Sequence, residues 1–523
     1  MTINRYFYQS TYGLPIILGF GLFCRLYSYS YNRSLWSDET NVIFGIANTP
    51  WSSLQLPLAA SPGGAYLFNV LEKIMLSVFG FNDYALRFFP FLCSCVALFI
   101  FYKIATRFLP RFVGFLSLLL FACCDNIIYY ALEIRPHSLD LLVTCLGLYL
   151  YFHLHQTTLM VKHITQLLFF GLISIFCSFI APIILFSLGT SLFIQYFLKQ
   201  HKSNCLYLIY VAMGWLIIFS SFYFFSYQHW LSNSESMTYF GNVFQYLHFP
   251  GFTVTAIKEN SIQLFRFVAF FVGLRMQAID IMPSDIIRSM TSLQSVFVLL
   301  KQHLFFWFYI FTLSLTNGFI LLASLLSAAK LKQPYLLFLL LPLALILILA
   351  TNHLYPFLGR HLLFTFPLLF ILSSTWLNQL KSSYKKLTLI LCIFLIFNPI
   401  YSSFNNIVAP RSLNKLKNGI SIAQSINYDQ CYVLGTYNWL PFYQTRYNIS
   451  LDTLTHLRSI HDLGLLTDTY PTMLFILNTK KLQNYLTHIT SLTSRYQTLG
   501  YSVNYINLNN HETVMFLLQK TSP

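Results

Sequence analysis

Leu336-Leu337-Phe338-Leu339-Leu340-Leu341-Pro342-Leu343-Ala344-Leu345-Ile346-Leu347-Ile348-Leu349-Ala350 contains no polar side chain, and Leu362–Ser373 holds a second long uncharged run. A spanning helix needs about 20 mostly apolar residues, because the hydrocarbon core of a bilayer is about 30 Å thick. Backbone groups must be satisfied internally at that depth, which selects helices. The alternating pattern of an outer-membrane barrel is absent. Outward from these runs the same composition holds: of 523 residues, 56% are hydrophobic and 9% charged. Soluble chains carry about 25% charged residues, so this is a membrane protein.

The net charge of +16 raises the question of nucleic acid. The basic residues are scattered between apolar runs, which fits cytoplasmic loops facing anionic lipid and gives no nucleic-acid partner. Nine of the ten cysteines lie in or beside apolar segments and only Cys431 falls in the polar tail. That pattern supplies neither metal spacing nor a disulfide framework.

Basic clusters in short loops orient the spans. A first helix over Leu14–Tyr29 runs from Arg5 inside to Arg33 outside, and no small-residue cleavage site follows it, so it is expected to be retained. Ala65–Gly80, broken by Glu72–Lys73, is expected to lie flat at the outer interface. The predicted spans continue as Leu86–Thr106, Phe112–Tyr130, Ser138–Phe152, two helices within Ile164–Leu198 turning near Ala181–Pro182, and Leu206–Phe225. They end with Phe305–Ala328, Tyr335–Thr351, Leu362–Leu377 and Leu387–Ile400. About eleven spans place every short basic cluster on one side. The expected fold is an all-α polytopic membrane domain over 1–400, with outer loops 31–85 and 226–303. A small outer α/β domain over 401–523 follows, with strand-like runs Cys431–Gly435, Met473–Leu477 and Val514–Leu518. No internal repeat is visible, unlike the common secondary transporters.

Only 16 residues are acidic, and two are adjacent in Leu35-Trp36-Ser37-Asp38-Glu39, just past the first span. A helix cap at Ser37 or Asp38 would explain them structurally; carboxylates beside an apolar interface are otherwise costly unless used or paired. Three more clusters reach the same face: Arg87 in Ala85-Leu86-Arg87-Phe88-Phe89-Pro90, then Tyr129-Tyr130-Ala131-Leu132-Glu133-Ile134-Arg135-Pro136-His137, and Gly359-Arg360-His361-Leu362. One such arginine is explained by snorkelling. Three beside a carboxylate pair can hold a phosphate next to a base.

These segments resemble the GT-C glycosyltransferases, especially the polyprenyl- or dolichyl-phosphate-sugar-dependent group. That group includes protein O-mannosyltransferases, the lipid A aminoarabinose transferase and bacterial lipopolysaccharide sugar transferases. Trp36-x-Asp38-Glu39 is similar to their first-loop motif, and Ser61-Pro62-Gly63-Gly64-Ala65-Tyr66-Leu67 to their Pro-Pro-Leu-Tyr-Tyr segment. Leu86-Arg87-x-x-Pro90, Tyr130–His137 and Arg360-His361-Leu362-Leu363 resemble three further motifs. Ser61, Gly63 and His137 depart from the pattern, and they bear on the donor sugar and on phosphate binding.

The resemblance implies a hexosyl or pentosyl transfer with inversion, from a polyprenyl-phosphate donor to a hydroxyl on lipopolysaccharide, another glycolipid or protein. It implies Asp38 as base, with Glu39 orienting it or sharing a divalent metal with it. Arg87, Arg135 and Arg360 would assist the leaving phosphate, with His137 and His361 nearby, and Glu133 would position an arginine or a sugar hydroxyl. No Gly-rich phosphate loop appears. Short loops and the resemblance place the chain in a bacterial inner membrane with its site facing the periplasm or exterior. A flippase would want ionisable groups at mid-membrane depth. A polymerase or ligase would not need the Asp-Glu pair.

Overall fold

A computed structural model describes residues 13–58, 64–231, 246–248, 253–273, 293–328, 335–357, 359–411, 429–434, 454–457, 470–478, 482–506 and 513–521. Arg5, Ser61–Gly63 and residues 232–245, 249–252 and 274–292 of the second outer loop lie outside these. In chain order the main helices are α1 (Gly13–Tyr31), α2 (Ser37–Asn48), α3 (Tyr66–Phe79), α4 (Asp83–Arg107), α5 (Arg111–Cys123), α6 (Asp125–Tyr130) and α7 (His137–Leu154). There follow α8 (Val161–Cys177), α9 (Ala181–Leu198), α10 (Lys202–Phe222), α11 (Val254–Phe271), α12 (Leu293–Ser327), α13 (Leu336–Thr351), α14 (Phe366–Ser383) and α15 (Lys385–Val408). Among the described residues seven helices are long and apolar enough to cross a membrane, and α5, α8 and α13 are shorter apolar helices. With α1, they fall at the places of the eleven expected spans.

Burial sorts these helices into an inner and an outer set. In the most apolar 18-residue stretch of each, 89% of residues are buried for Gly359–Ser383 and 72% for α7, against 22% for Lys202–Tyr227. Leu216, Ile217 and Phe224 on that outer segment are more than 60% exposed, as a lipid-facing surface requires. The two inner segments pack against each other where α7 meets the 3-10 turn Gly359–Thr365. Their starts carry His137, Arg360 and His361. At Gly359 a Cβ would lie 2.5 Å from the Phe270 ring, so only glycine lets this turn sit so close to α11.

Two helices outside the span set support the site. Lys73 on α3 reaches back to accepting carbonyls of Ile46, Ala47 and Thr49, closing the C-terminal end of α2 with a cation where the helix dipole favours one. Glu72 beside it is buried, and neither carboxyl oxygen has a hydrogen-bond partner among the described residues. Burial therefore holds its pKa well above the usual carboxylate value. A raised folded-state pKa means that the folded protein binds the proton more tightly than the unfolded chain does. Stability contributed by the neutral form is complete below about 4.5 and lost as pH climbs toward the folded value, at up to about 1.4 kcal/mol per pH unit. Melting temperature in detergent should thus fall over this range, and Glu72→Gln should flatten that part of the profile. An unchanged slope in the glutamine variant would assign it to other groups.

The tail forms a five-stranded mixed sheet, β1 (Gln430–Leu434), β2 (Leu454–Leu457), β3 (Thr472–Asn478), β4 (Tyr501–Ile506) and β5 (Thr513–Lys520), in the order β2-β1-β3-β5-β4. β1 runs parallel to β2 and β3, while β5 is antiparallel to β3 and β4. Tyr432, Phe475 and Phe516 on one face pack with Leu492 and Tyr496 of α16 (Leu482–Thr498). The alternate residues Val433, Leu474, Ile476 and Met515 fall in one apolar cluster with Leu35, Val42 and Ile43 from the first loop. Alternation along the strands thus buries both faces.

Candidate active site

The first-loop motif opens α2, and its two carboxylates have separate surroundings. Glu39 is 0% exposed. Its side chain accepts from the Trp36 amide at 3.3 Å, the reach-back of a capping box, and from the Ile134 amide at 3.3 Å. Arg87 Nη2 lies 3.1 Å and Arg33 Nη1 3.3 Å from Glu39 Oε2. Asn82 caps α4 and so fixes the turn from which Arg87 projects. Pro90, within α4, withdraws the amide that would bond the Leu86 carbonyl. The remaining Arg87 donors go to Asn32 Oδ1 and to the carbonyls of Arg33 and Ser34.

Asp38 is the more open carboxylate, with its side chain 19% exposed. Arg360 Nη1 donates to its Oδ2 at 2.7 Å, and Arg135 Nη2 lies 3.8 Å from the same oxygen. Both arginines are similarly open, at 14% and 15%. Three ionic groups from distant parts of the chain thus converge: Asp38 from the start of α2, Arg135 from the α6–α7 turn, and Arg360 from the turn leading into α14. The guanidinium of Arg360 also lies over the Trp36 ring, 5.5 Å from its centroid.

Behind this triad stands a buried layer. Glu133 is 0% exposed and accepts from the Trp36 indole at 2.8 Å. Burial pushes its pKa up to about 7, against the opposing pull of Arg360. Its other oxygen has no hydrogen-bond partner among the described residues and lies 3.7 Å from His137 Nε2. His137 in turn meets His361 edge to face, with ring centroids 5.4 Å apart. Tyr355 donates to the His361 carbonyl at 3.0 Å, which ties the Arg360–His361 turn to its neighbour.

Two of the expected site residues lie deeper than Asp38, Arg135 and Arg360. Arg87 was expected to bind donor phosphate, yet it is 2% exposed and its contacts serve Glu39 and the first-loop backbone. Glu39 was expected to orient Asp38 or share a metal with it. Its oxygens receive two guanidiniums and two backbone amides. Among the described residues no group of three or more His, Cys, Asp or Glu could hold a metal ion. Glu133, buried as it is, reaches the open site through the Trp36 indole. Asp38, Arg135, Arg360 and His361 do come together, with His137 just beneath.

Sequence reasoning missed Arg33 and Trp36 as partners, although both flank the motif. It also missed Arg25, fully buried within α1 and donating to Ser94 and to the carbonyls of Gly21, Phe121 and Ala122. A lone arginine inside an apolar run was the available signal.

Residues 62–225 match the family model for dolichyl-phosphate-mannose-protein mannosyltransferase, a stretch that includes Arg87, Glu133, Arg135 and His137. No curated protein matches. The fold is similar to the crystal structure of ArnT from Cupriavidus metallidurans bound to undecaprenyl phosphate, at 10% identity and a TM-score of 0.50, covering 97% of this chain and 98% of that one. A weaker likeness, at 12% identity and a TM-score of 0.46, is to the apo oligosaccharyltransferase of Archaeoglobus fulgidus, covering 83% of this chain and 64% of that one. Along nearly its whole length this chain thus shares its fold with the ArnT structure, and residues 62–225 carry its likeness to the mannosyltransferase family model.

Proposed function

We propose that the chain transfers a sugar with inversion from a polyprenyl-phosphate carrier to a hydroxyl acceptor on a glycolipid such as lipopolysaccharide, or on protein, at the outer face of a bacterial inner membrane. The observation that carries this reading is Asp38, the one carboxylate of the site that is partly open, set between two partly open arginines. An acceptor hydroxyl attacks the anomeric carbon as the bond to the lipid phosphate breaks. The bonding electrons leave with the phosphate, and the hydroxyl proton passes to Asp38. Arg135 and Arg360 then stabilise the charge that builds on the departing phosphate. The undecaprenyl phosphate named in the ArnT structure supports a carrier of this chemistry.

Purified protein should turn over a polyprenyl-phosphate sugar with no nucleotide present. Arg360→Gln should lower use of that donor roughly ten- to a hundred-fold, the effect of losing one charged hydrogen bond. Strict dependence on a nucleotide sugar would refute the carrier, and unchanged donor use in Arg360→Gln would remove that arginine from phosphate binding.

A further inference from the structure

A second cluster of guanidinium groups lies across Glu39 from the Asp38 site. Arg33, which donates to Glu39 on one side, lies over the Tyr129 ring at 4.2 Å from its centroid, and Arg411, just beyond α15, lies over the same ring at 4.1 Å. These three residues line a pocket with Ser28, Tyr31 and Asn406 that opens toward the surface. All three are more than nine-tenths buried. Arg33 Nε and Nη2, Arg411 Nε and the Tyr129 hydroxyl have no hydrogen-bond partner among the described residues.

Orphaned buried polar groups are costly, at about 1–3 kcal/mol each and more for charged ones, and few occur in a folded domain. Four around one pocket, each able to donate, describe a cradle for an acceptor. In this connected set Arg33, Arg87 and Arg411 meet Glu39 and Asp125, with buried Glu133 also near Arg33. Three of the four unpartnered donors are guanidinium N–H groups, which bind an anionic acceptor more strongly than water.

We infer that this pocket binds a phosphate group, held by Arg33, Arg411 and the Tyr129 hydroxyl, as a site separate from the Asp38 cleft. Two planar guanidiniums match the geometry of phosphate oxygens. The pocket opens beside the ends of α1 and α15, where a membrane phospholipid would present its headgroup. The same chemistry would accept free phosphate. The inference does not depend on the proposed transfer reaction, since none of its ligands lies in the Asp38 cleft.

The test uses thermal unfolding of the purified full chain in detergent at constant ionic strength. Inorganic phosphate is one probe, and phosphatidylglycerol in mixed micelles, set against phosphatidylcholine, is the other. Saturable stabilisation is expected, and it should persist in Arg360→Gln, where the other phosphate-binding candidate is disabled. Tyr129→Phe keeps the ring beneath both arginines and should weaken the apparent affinity about tenfold, for one hydrogen bond to a charged group. Arg411→Gln would strip Asp125 of its ion-pair partner, so the phenylalanine variant is the decisive one. Response to phosphatidylglycerol alone identifies a lipid headgroup, and response to both probes identifies a general phosphate site. No stabilisation by either probe, its loss in Arg360→Gln, or equal affinity in wild type and Tyr129→Phe would overturn the site.

Discussion

Asp38→Asn is expected to reduce sugar transfer by about 10²–10⁴-fold, the usual contribution of a general base, while the protein still inserts and melts at its normal temperature. Asparagine retains the size of aspartate and can accept from Arg360, so the link between the first loop and the turn before α14 is kept in part. It cannot take a proton. Single-turnover rates on a lipid-phosphate sugar, read beside a melting curve, separate the two roles. An active Asp38→Asn protein would exclude Asp38 as base and leave its contact with Arg360 as architecture alone.

The opposite pattern is expected one residue on. Arg87→Ala should lower stability by about 3–5 kcal/mol, the cost of leaving a buried charge without its partner. Glu39 would keep only Arg33 as its ionic partner, and the carbonyls of Arg33 and Ser34 would lose a donor. Glu39→Gln should do comparable damage from the other side, because two buried guanidiniums would then face a neutral amide. Yield and melting temperature should drop in both variants before any catalytic constant is read. An Arg87→Ala protein of normal stability with a raised KM for donor would return Arg87 to phosphate binding.

The contrast between neighbouring carboxylates shows where sequence reading runs out. Trp36-Ser37-Asp38-Glu39 advertises both acids equally, and helix periodicity turns them about 100° apart without saying which way is in. Burial decides it, through contacts with Arg87 and Ile134 from much later in the chain. Arg87 misled for the same reason: an arginine at the end of a span looks alike whether it points to headgroups or inward. The spans themselves were legible, because apolar length is a local property. In the tail, the expected strands correspond to β1, β3 and β5, the inner strands of the sheet, which are apolar on both faces. The two strands that went unread, β2 and β4, are its edges. Tyr501-Ser502-Val503-Asn504-Tyr505-Ile506 interleaves polar residues because one side of an edge strand meets water.

The bond between Asp38 and Arg360 joins residues 322 positions apart. At about 5–20 residues per second of synthesis, roughly 16 to 64 seconds separate the emergence of the two from the ribosome. During that interval the first loop must wait on a nascent chain that lacks the later partner. Glu39 can already engage Arg33 and Arg87, which arrive within 50 residues of it. The inner acid is thus paired early, while the outer acid gains its closest partner only when the last inner helix begins to insert. Biosynthesis would in this way build the scaffold first and complete the reactive constellation near its end, so that a truncated product ending before Arg360 would be folded in part yet chemically silent.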